Sequence, residues 1–444
     1  MANNNSLAQA KKAKNDEFYT QWADIEKEMN AYLEYDPSVF KDKTILLPAD
    51  DPFESNFFKF FATHFNDYGL RKLIATSYDP SPIVNTQLAL SLFPDEEDGT
   101  EVSEHKISRA YRIVLTDVSD FDKNGRVNIA DVETKLRQEK ARINKGKHSD
   151  ILQFLVGDDD PNGETRFPAG DFRSREVTLL RDEADIVITN PPFSLFREFL
   201  AWIIEEDNPL SSRQFVVLGN MNAITYKEVF PYIQRNEIWL GYKSLNEDMY
   251  FTVTDDYKKW LVENKKAGSA YKIINGEVMG RLASACWFTN INHGRRHQPL
   301  SLMTMEDNIK YSKRTKVKGH AYVHYDNYDA IEVPYNDSIP GDFDGVMGVP
   351  ITFLGKYNPD QFEILGSTQR GTHDLVPDTK KYDDYWEVRQ NGTKTGSSGG
   401  KTNENANIAQ NDGKKNYFIN SEGHVIQSAY QRIFIRRKQQ WSRS

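Results

Sequence analysis

The stretch DIVITNPPF, residues 185–193, decides the fold. Its three consecutive branched apolar residues, Ile186 to Ile188, predict a β-strand that is buried on both faces, as in a parallel sheet covered by helices. From Leu195 onward, apolar residues recur at i, i+4 and i+8, which predicts an amphipathic helix with Ser194 as its N-cap. A strand, a turn and a helix therefore follow one another here, as in an α/β sheet.

Other short apolar runs are followed by helix-like or polar segments. They lie at 44–47, 72–75, 113–115, 215–218, 238–240 and 286–288. Strands that alternate with helices predict a mainly parallel α/β sheet, in which ligands bind at the carboxyl ends of the strands. Two stretches interrupt the pattern. Residues 80–168 are polar and predict an insertion, and residues 390–416 are rich in Gly, Ser and Asn and predict a mobile loop or one that orders on a partner.

The composition sets limits on the class of protein. With 444 residues, 38% of them hydrophobic, the chain can bury a large core, and we place two domains at 1–294 and 295–444. A net charge of −9 excludes a general binder of polyanions, so any nucleic-acid surface must be local. The single cysteine, a polar N-terminus and the lack of an apolar run of membrane-spanning length lead us to expect a cytoplasmic protein.

The turn Asn190–Phe193 has the chemistry of an acceptor site. Asn190 precedes a proline and is therefore pushed toward an extended conformation, and neither proline can donate a backbone N–H. The Asn190 side-chain oxygen and the Pro191 carbonyl can each accept one N–H of a planar amine, and Phe193 can stack on a base. An enzyme that used this turn would mainly have to align the amine with the group that the amine attacks. It would need no carboxylate as a general base. The alternative is an ordinary loop after a strand, but the flanking strand and helix favour a function.

Seven longer stretches of the chain resemble one family. They are NDEFYTQ (15–21), DDPFESNFFKFF (50–61), GDFRS (170–174), DIVITNPPFSLFREFL (185–200), NAITYKEVF (222–230), YDNYDAIEV (325–333) and GVMGVPITFLGKYNPDQFE (345–363). Through them, the chain resembles the EcoRI-type adenine-specific DNA methyltransferases over nearly its whole length. The resemblance implies a seven-stranded, Rossmann-like sheet that binds S-adenosylmethionine (SAM), followed by a C-terminal DNA-recognition region.

The same resemblance implies an activity and a setting for it. A methyl group would pass from SAM to the N6 amine of an adenine that is flipped out of double-stranded DNA. The enzyme would belong to a restriction-modification system, with a cognate restriction endonuclease that shares the DNA site.

Roles follow from the resemblance by position. The catalytic turn is Asn190, Pro191, Pro192 and Phe193. The implied cofactor-binding residues are Phe18, Tyr19 and Thr20 at the methionine end, Asp50, Asp51, Pro52, Ser55 and Asn56 in the main SAM loop, and Asp171 and Phe172 at the adenine end. The second strand ends in ATSY without an acid before Asp79, so the usual carboxylate for the ribose hydroxyls has no clear counterpart.

Basic residues are concentrated in the C-terminal half, where we expect DNA binding because Lys and Arg neutralise phosphates. The predicted DNA-binding residues are Arg295, Arg296, Lys313, Arg314, Lys316, Arg436 and Arg437. For any one of them, a solvated surface charge is the alternative.

Residues 120–131 have the spacing of a calcium loop. Oxygen-bearing side chains stand at positions 1, 3, 5, 9 and 12, with glycine at position 6. The five residues are Asp120, Asp122, Asn124, Asn128 and Asp131. The alternative to a structural calcium ion is an Asp/Asn-rich turn that opens a helix.

Other functions remain open on the sequence alone. The acceptor turn suits any planar nitrogen, so a guanine amine of ribosomal RNA or a protein glutamine could be methylated instead. A DNA-binding protein without catalytic activity is a third possibility, which the intact Asn190–Phe193 turn disfavours.

Overall fold

The computed structural model describes residues 19–48, 50–78, 110–143, 147–159, 165–204, 213–368, 376, 379–411, 413–429 and 431–438. Phe18, one of the predicted cofactor residues, lies outside the described residues. The chain divides into two compact units, one of Met1–Met221 and Gly241–His293 and one of Asn222–Leu240 and Gly294–Ser444. The division falls close to the predicted boundary, except that 222–240 belongs to the second unit.

The strands of the described chain are short. They are β1 (Tyr19–Thr20), β2 (Thr44–Leu47), β3 (Lys72–Thr76), β4 (Tyr111–Leu115), β5 (Leu152–Phe154), β6 (Asp158–Asp159), β7 (Thr165–Phe167), β8 (Ile186–Thr189), β9 (Gln214–Asn220), β10 (Trp239–Leu240), β11 (Met249–Thr252), β12 (Tyr271–Ile274), β13 (Glu277–Leu282), β14 (Ala285–Thr289), β15 (Ile331–Glu332), β16 (Met347–Pro350), β17 (Phe362–Ser367), β18 (Trp386–Arg389), β19 (Asn407–Ile408), β20 (Asn416–Ile419), β21 (Val425–Ser428) and β22 (Arg432–Arg437).

The α-helices of the same residues are α1 (Trp22–Tyr35), α2 (Asn56–Thr63), α3 (Ile129–Ile143), α4 (Arg175–Glu183), α5 (Phe196–Ile203), α6 (Phe230–Gln234), α7 (Asp255–Asn264) and α8 (Met305–Tyr311). None of the helices in the described part of the chain is both long and apolar enough to cross a membrane.

The largest sheet has eight strands in the order β10-β14-β9-β8-β2-β3-β4-β5. The pairs β9–β8, β8–β2 and β2–β3 are parallel, while β14 and β4 flank them in antiparallel pairing. A mixed α/β fold is thereby confirmed. The predicted seven-stranded sheet is not confirmed, because the largest sheet of the described residues has eight strands.

The central strands of this sheet are buried, as predicted from the sequence of β8. Every residue of β2 and of β8 is buried, as expected where helices cover both faces. Helix α2 presents Phe57, Phe58, Phe60 and Phe61 to the core, all of them buried. Two strands of the predicted insertion, β4 and β5, extend the sheet, so 80–168 is only partly an insertion.

The second unit contains two four-stranded sheets, β15-β16-β22-β17 and β18-β20-β21-β19. The second of these sheets includes β19, which lies within 390–416, where the sequence predicts a loop. Thr402, Ala406 and Asn407 in that segment are buried. The loop prediction fails there because it considered apolar burial alone, whereas the Asn407 side chain donates to the carbonyl oxygens of Thr402 and Asn405.

Gly170 tests how closely the loop before α4 packs on the end of β3. Its φ is +78°, and a Cβ at this position would lie 1.9 Å from the carbonyl oxygen of Ser77. We expect Gly170→Ala to lower the free energy of unfolding by at least about 2 kcal/mol, measured in urea. The control is Gly276→Ala, because Gly276 has a similar φ of +84° with no atom near its Cβ position.

The control variant should cost only about 1 kcal/mol, the strain of a left-handed alanine. Equal losses in the two variants would contradict the close packing of Gly170 on Ser77.

Candidate active site

The loops that follow three neighbouring parallel strands are tied together by hydrogen bonds. At the end of β8, the Thr189 hydroxyl donates to the Pro48 carbonyl, which follows β2, at 3.0 Å. The Asp50 backbone N–H donates to the Thr76 carbonyl at the end of β3 at 2.8 Å. The acceptor turn and the acidic loop predicted from the sequence therefore lie side by side at one edge of the sheet.

The acceptor turn begins where β8 ends. Asn190 is partly exposed, whereas Pro191 is buried, and the Phe193 side chain packs on the main core of the first unit. The Leu195 N–H donates to the Pro192 carbonyl at 2.9 Å and closes a short 3-10 turn, Phe193–Leu195. Because of this turn α5 begins at Phe196, and the prediction of Ser194 as its N-cap is wrong.

The acidic loop holds its two carboxylates differently. One oxygen of Asp51 accepts from the Tyr111 hydroxyl and from the Phe53 backbone N–H, both at 2.9 Å. Oδ2 of Asp50 is buried and has no hydrogen-bond partner among the described residues. Burial raises the pKa of Asp50 to about 7, although a hydrogen bond with Ser55 opposes the increase. Ser55 also caps α2, since its hydroxyl accepts from Phe57 N–H at 3.0 Å.

The first strand reaches the same loop. The Asn56 side-chain amide donates to the Thr20 carbonyl at 2.8 Å and so joins β1 to the start of α2. The Thr20 hydroxyl oxygen is a second buried polar atom without a partner in the described chain. Tyr19 belongs to the same strand and pairs with Thr252 of β11, while Pro52 is buried beside Asp51.

The Gly-Asp-Phe segment lies against the end of β3, but its side chains are already engaged. Asp171 is buried and accepts three N–H groups from Arg173, at 2.8–3.0 Å. Arg173 also donates to Glu198 of α5 at 2.9 Å. The Phe172 ring packs edge-on against Phe199 at 5.0 Å. Asp171 and Phe172 therefore hold the loop against α5, and a direct contact of these two residues with the cofactor stays a prediction.

Sequence analysis missed two residues that shape the site. Tyr111 orients Asp51, but it does so through the antiparallel pairing of β4 with β3, which no local pattern indicates. Arg173 joins the Gly-Asp-Phe segment to the helix after the acceptor turn. Its signal was its position directly after Asp171-Phe172 in GDFRS.

The predicted DNA-binding residues fall into two groups. Lys313, Arg314, Lys316 and Arg436 are exposed, and Arg295 is partly exposed. Arg314 pairs with Asp337 at 2.7 Å and Arg436 with Glu363 at 2.6 Å.

Arg296 and Arg437 are both buried in the second unit, and DNA binding by these two residues stays a prediction. Arg296 lies 3.6 Å from the centre of the Trp239 ring and donates to Asn236. A phosphate contact would require it to leave this packed position.

The predicted calcium loop at 120–131 brings Asp120, Asp122 and Asp131 together, with their oxygens within 4.8 Å of one another. These oxygens already accept backbone N–H groups. Asp131 binds those of Phe121 and Asn128 at 2.8 and 2.9 Å, and Asp120 binds that of Gly125 at 2.7 Å. The arrangement is that of an Asp-rich turn at the start of α3.

In this parallel sheet, a loop with two acidic residues follows one strand and the acceptor turn follows the neighbouring strand. This is the arrangement of an α/β methyltransferase. The model of the EcoRI adenine-specific methyltransferases matches residues 6–438, and the chain belongs to that family.

Three curated relatives agree with this assignment. The Type II methyltransferase M.EcoRI of Escherichia coli is 36% identical over 82% of this chain and 89% of its own length. M.MgeORF184P of Mycoplasma genitalium is 33% identical over 80% of this chain and 84% of its own. M.MpnI of Mycoplasma pneumoniae is 31% identical over 80% and 83%. No solved structure matches the chain with comparable significance.

Asp50 should cost stability in the cofactor-free protein. Its raised pKa means that the fold disfavours the ionised carboxylate. The protonated carboxyl therefore stabilises the fold at acid pH, and this contribution is lost as the pH rises through about 7. We expect Asp50→Asn to raise the free energy of unfolding at pH 8 by at least about 1.4 kcal/mol, the equivalent of one pKa unit. At pH 5 the gain should shrink, because the wild-type carboxyl is then protonated.

Urea titrations at the two pH values measure this difference, with Asp256→Asn on exposed α7 as the matched control. A variant that is less stable than the wild type at pH 8 would show that the Asp50 carboxylate is satisfied within the fold.

Proposed function

We propose that the chain methylates the N6 amine of an adenine in double-stranded DNA, using SAM, at the acceptor turn Asn190–Phe193. The observation that carries the proposal is the hydrogen bond from Thr189 to Pro48, which fixes this turn beside the Asp50 loop. The cofactor and the acceptor nitrogen must be neighbours for a direct transfer, and this edge of the sheet supplies a place for each.

The residues present fit SAM. Its amino-acid end carries an ammonium and a carboxylate, and an Asp50 oxygen and the Thr20 hydroxyl are buried polar atoms that have no partner among the described residues. Asp50 can accept from the ammonium and Thr20 can donate to the carboxylate, which satisfies all four groups. When bound, SAM supplies a methyl group on a positively charged sulfur. Asp50 favours the ammonium of SAM when its carboxyl group is ionised.

The acceptor turn would prepare the adenine nitrogen. The Asn190 side-chain oxygen and the Pro191 carbonyl each accept one N–H, which directs the lone pair of the amine out of the ring plane. Phe193 lies at the start of the 3-10 turn, where its ring can stack on the base. Held in this way, the amine would present its lone pair to the methyl group, and the proton that it loses on transfer would pass to water. Rotation of the base out of the duplex costs a few kcal/mol, which stacking offsets.

The second unit would hold the DNA. Lys313 and Lys316 are exposed in a segment that also carries Lys318, so this surface can neutralise phosphates. Because the three relatives are named Type II methyltransferases, we propose that this chain likewise serves a restriction-modification system, with an endonuclease that shares its site.

We leave calcium out of the proposed function. The carboxylates at 120–131 stand at a suitable spacing, but backbone N–H groups occupy them in the way an Asx turn requires.

The identity of the methylated unit tests the proposal. The full chain is incubated with methyl-labelled SAM and, in separate reactions, unmethylated plasmid DNA, ribosomal RNA and protein extract. Each product is digested and separated by chromatography with mass detection. We expect the label in N6-methyldeoxyadenosine alone. Label in methylguanosine or methylglutamine would support the competing substrates, and a complete absence of transfer would support a DNA-binding protein without activity.

Asn190 separates chemistry from cofactor binding. Asn190→Ala removes one of the two acceptors of the amine, so we expect the rate of methyl transfer to fall by at least about 100-fold, comparable to the loss of one oxyanion-hole donor. SAM affinity, measured by calorimetry, should stay within about tenfold, or ~1.4 kcal/mol. Asn264→Ala, an exposed position on α7, is the matched control and should leave both quantities unchanged.

If SAM affinity collapses together with the rate in Asn190→Ala, the residue binds the cofactor and its assignment as an acceptor for the base is wrong.

A further inference from the structure

The second unit contains a cavity of about 720 Å³, formed by described residues of that unit alone. It is lined by residues of the basic segment 315–323, by Ile408 of β19, by Gln427 of β21 and by Gln410. Glu332 and Arg432 also belong to the lining. Its volume lies within the range of sites that enclose a small organic ligand or a part of a larger one.

The walls of this cavity are held in place by the fold. The Gly319 N–H donates to the Ile309 carbonyl at 2.8 Å, and the Tyr322 hydroxyl donates to the Ser338 carbonyl at 2.5 Å. On the other side, β19 and β21 pair with Ile408 opposite Gln427. Walls that the fold holds in place lower the entropy cost of binding a ligand.

The charge of the lining favours an anion. Glu332 is neutralised within the cavity wall, because it accepts from Arg432 at 2.6 Å and from the Tyr325 hydroxyl. Among the described residues, the lining carries three lysine and arginine side chains, Lys316, Lys414 and Arg432, and one carboxylate, Glu332. The Lys414 ammonium donates to the Ser428 carbonyl at 2.8 Å, so it is held against the wall.

The rest of the lining suits a flat, partly apolar group with a hydrogen-bonding edge. Val323, Pro334 and Ile408 supply apolar surface, and the Tyr322 ring is available for stacking. Gln410, which is exposed, presents a side-chain amide with both a donor and an acceptor. An anionic group joined to a planar group with such an edge is the chemistry of a nucleotide, and Gln pairs well with the N6 and N7 atoms of adenine.

We propose that this cavity receives a nucleotide of the bound DNA other than the methylated adenine, with Lys316 and Lys414 at a phosphate and Gln410 at a base edge. The cavity would therefore determine part of the recognition sequence. The inference rests on the proposed function, since it assumes that the substrate is DNA. It adds a base-reading site in the second unit, apart from the acceptor turn of the first.

Mapping of methylated sites tests the role of Gln410. Wild type and Gln410→Ala are each incubated with SAM and a plasmid library free of adenine methylation, and N6-methyladenine is located by single-molecule sequencing. We expect the variant to accept other bases at one position of the wild-type motif, with discrimination there reduced about tenfold or more. Gln390→Ala, an exposed glutamine outside the cavity lining, is the matched control and should keep the motif.

Salt dependence tests the phosphate contact. The affinity of the full chain for a duplex is measured by fluorescence polarisation over a range of salt concentrations. Lys316→Ala should reduce the slope of log affinity against log salt by about 1. Lys401→Ala, an exposed lysine outside the cavity, should leave the slope unchanged.

The outcomes separate this inference from the proposed function. If the wild type forms no N6-methyladenine in DNA, the proposed function fails. If the wild type methylates a defined motif, but Gln410→Ala keeps that motif and Lys316→Ala keeps the salt slope, the cavity proposal alone is overturned.

Discussion

The parallel pairing of β2 with β8 is the constraint on which the site depends. This pairing is held at both ends by side chains. Asp185, before β8, accepts from the Thr44 N–H at 2.7 Å, and Thr189 donates to Pro48 at 3.0 Å where both strands end. A shift of one residue would break both bonds and exchange the side chains on the two buried faces of the strands. Because the register is fixed, the loop with Asp50 and the turn with Asn190 must emerge beside each other.

The cost of this arrangement falls on Asp50. One oxygen of its carboxylate is buried and has no partner among the described residues, which destabilises the fold, and burial raises the pKa of Asp50 to about 7. Tyr111 stabilises the neighbouring Asp51 with a hydrogen bond at 2.9 Å, so the two adjacent acids differ in what they need. Groups left unsatisfied in the free protein are common at sites that a ligand completes, since the ligand then supplies the missing contact.

Local patterns sufficed for the part of the fold that carries the site. The branched run of β8, the Ser55 cap and the phenylalanines of α2 are each explained by a few neighbouring residues, and family resemblance identified the turn. Contacts between segments that are distant in the sequence could not be predicted from these local patterns. The extra edge strand β10, the Tyr111–Asp51 bond and the burial of Arg296 depend on pairing and packing that no local window contains. The segment at 402–408 failed for another reason, because polar hydrogen bonds replaced apolar burial.

The most direct test of this account is a crystal structure of the chain with a SAM analogue that carries an amine in place of the methyl-bearing sulfur. The account predicts that the amino-acid ammonium of the analogue lies within about 3.5 Å of an Asp50 oxygen. It also predicts that the transfer end of the analogue faces the oxygens of Asn190 and Pro191 across a space wide enough for a base. An analogue bound at another edge of the sheet, or acceptor oxygens that point away from it, would contradict the account.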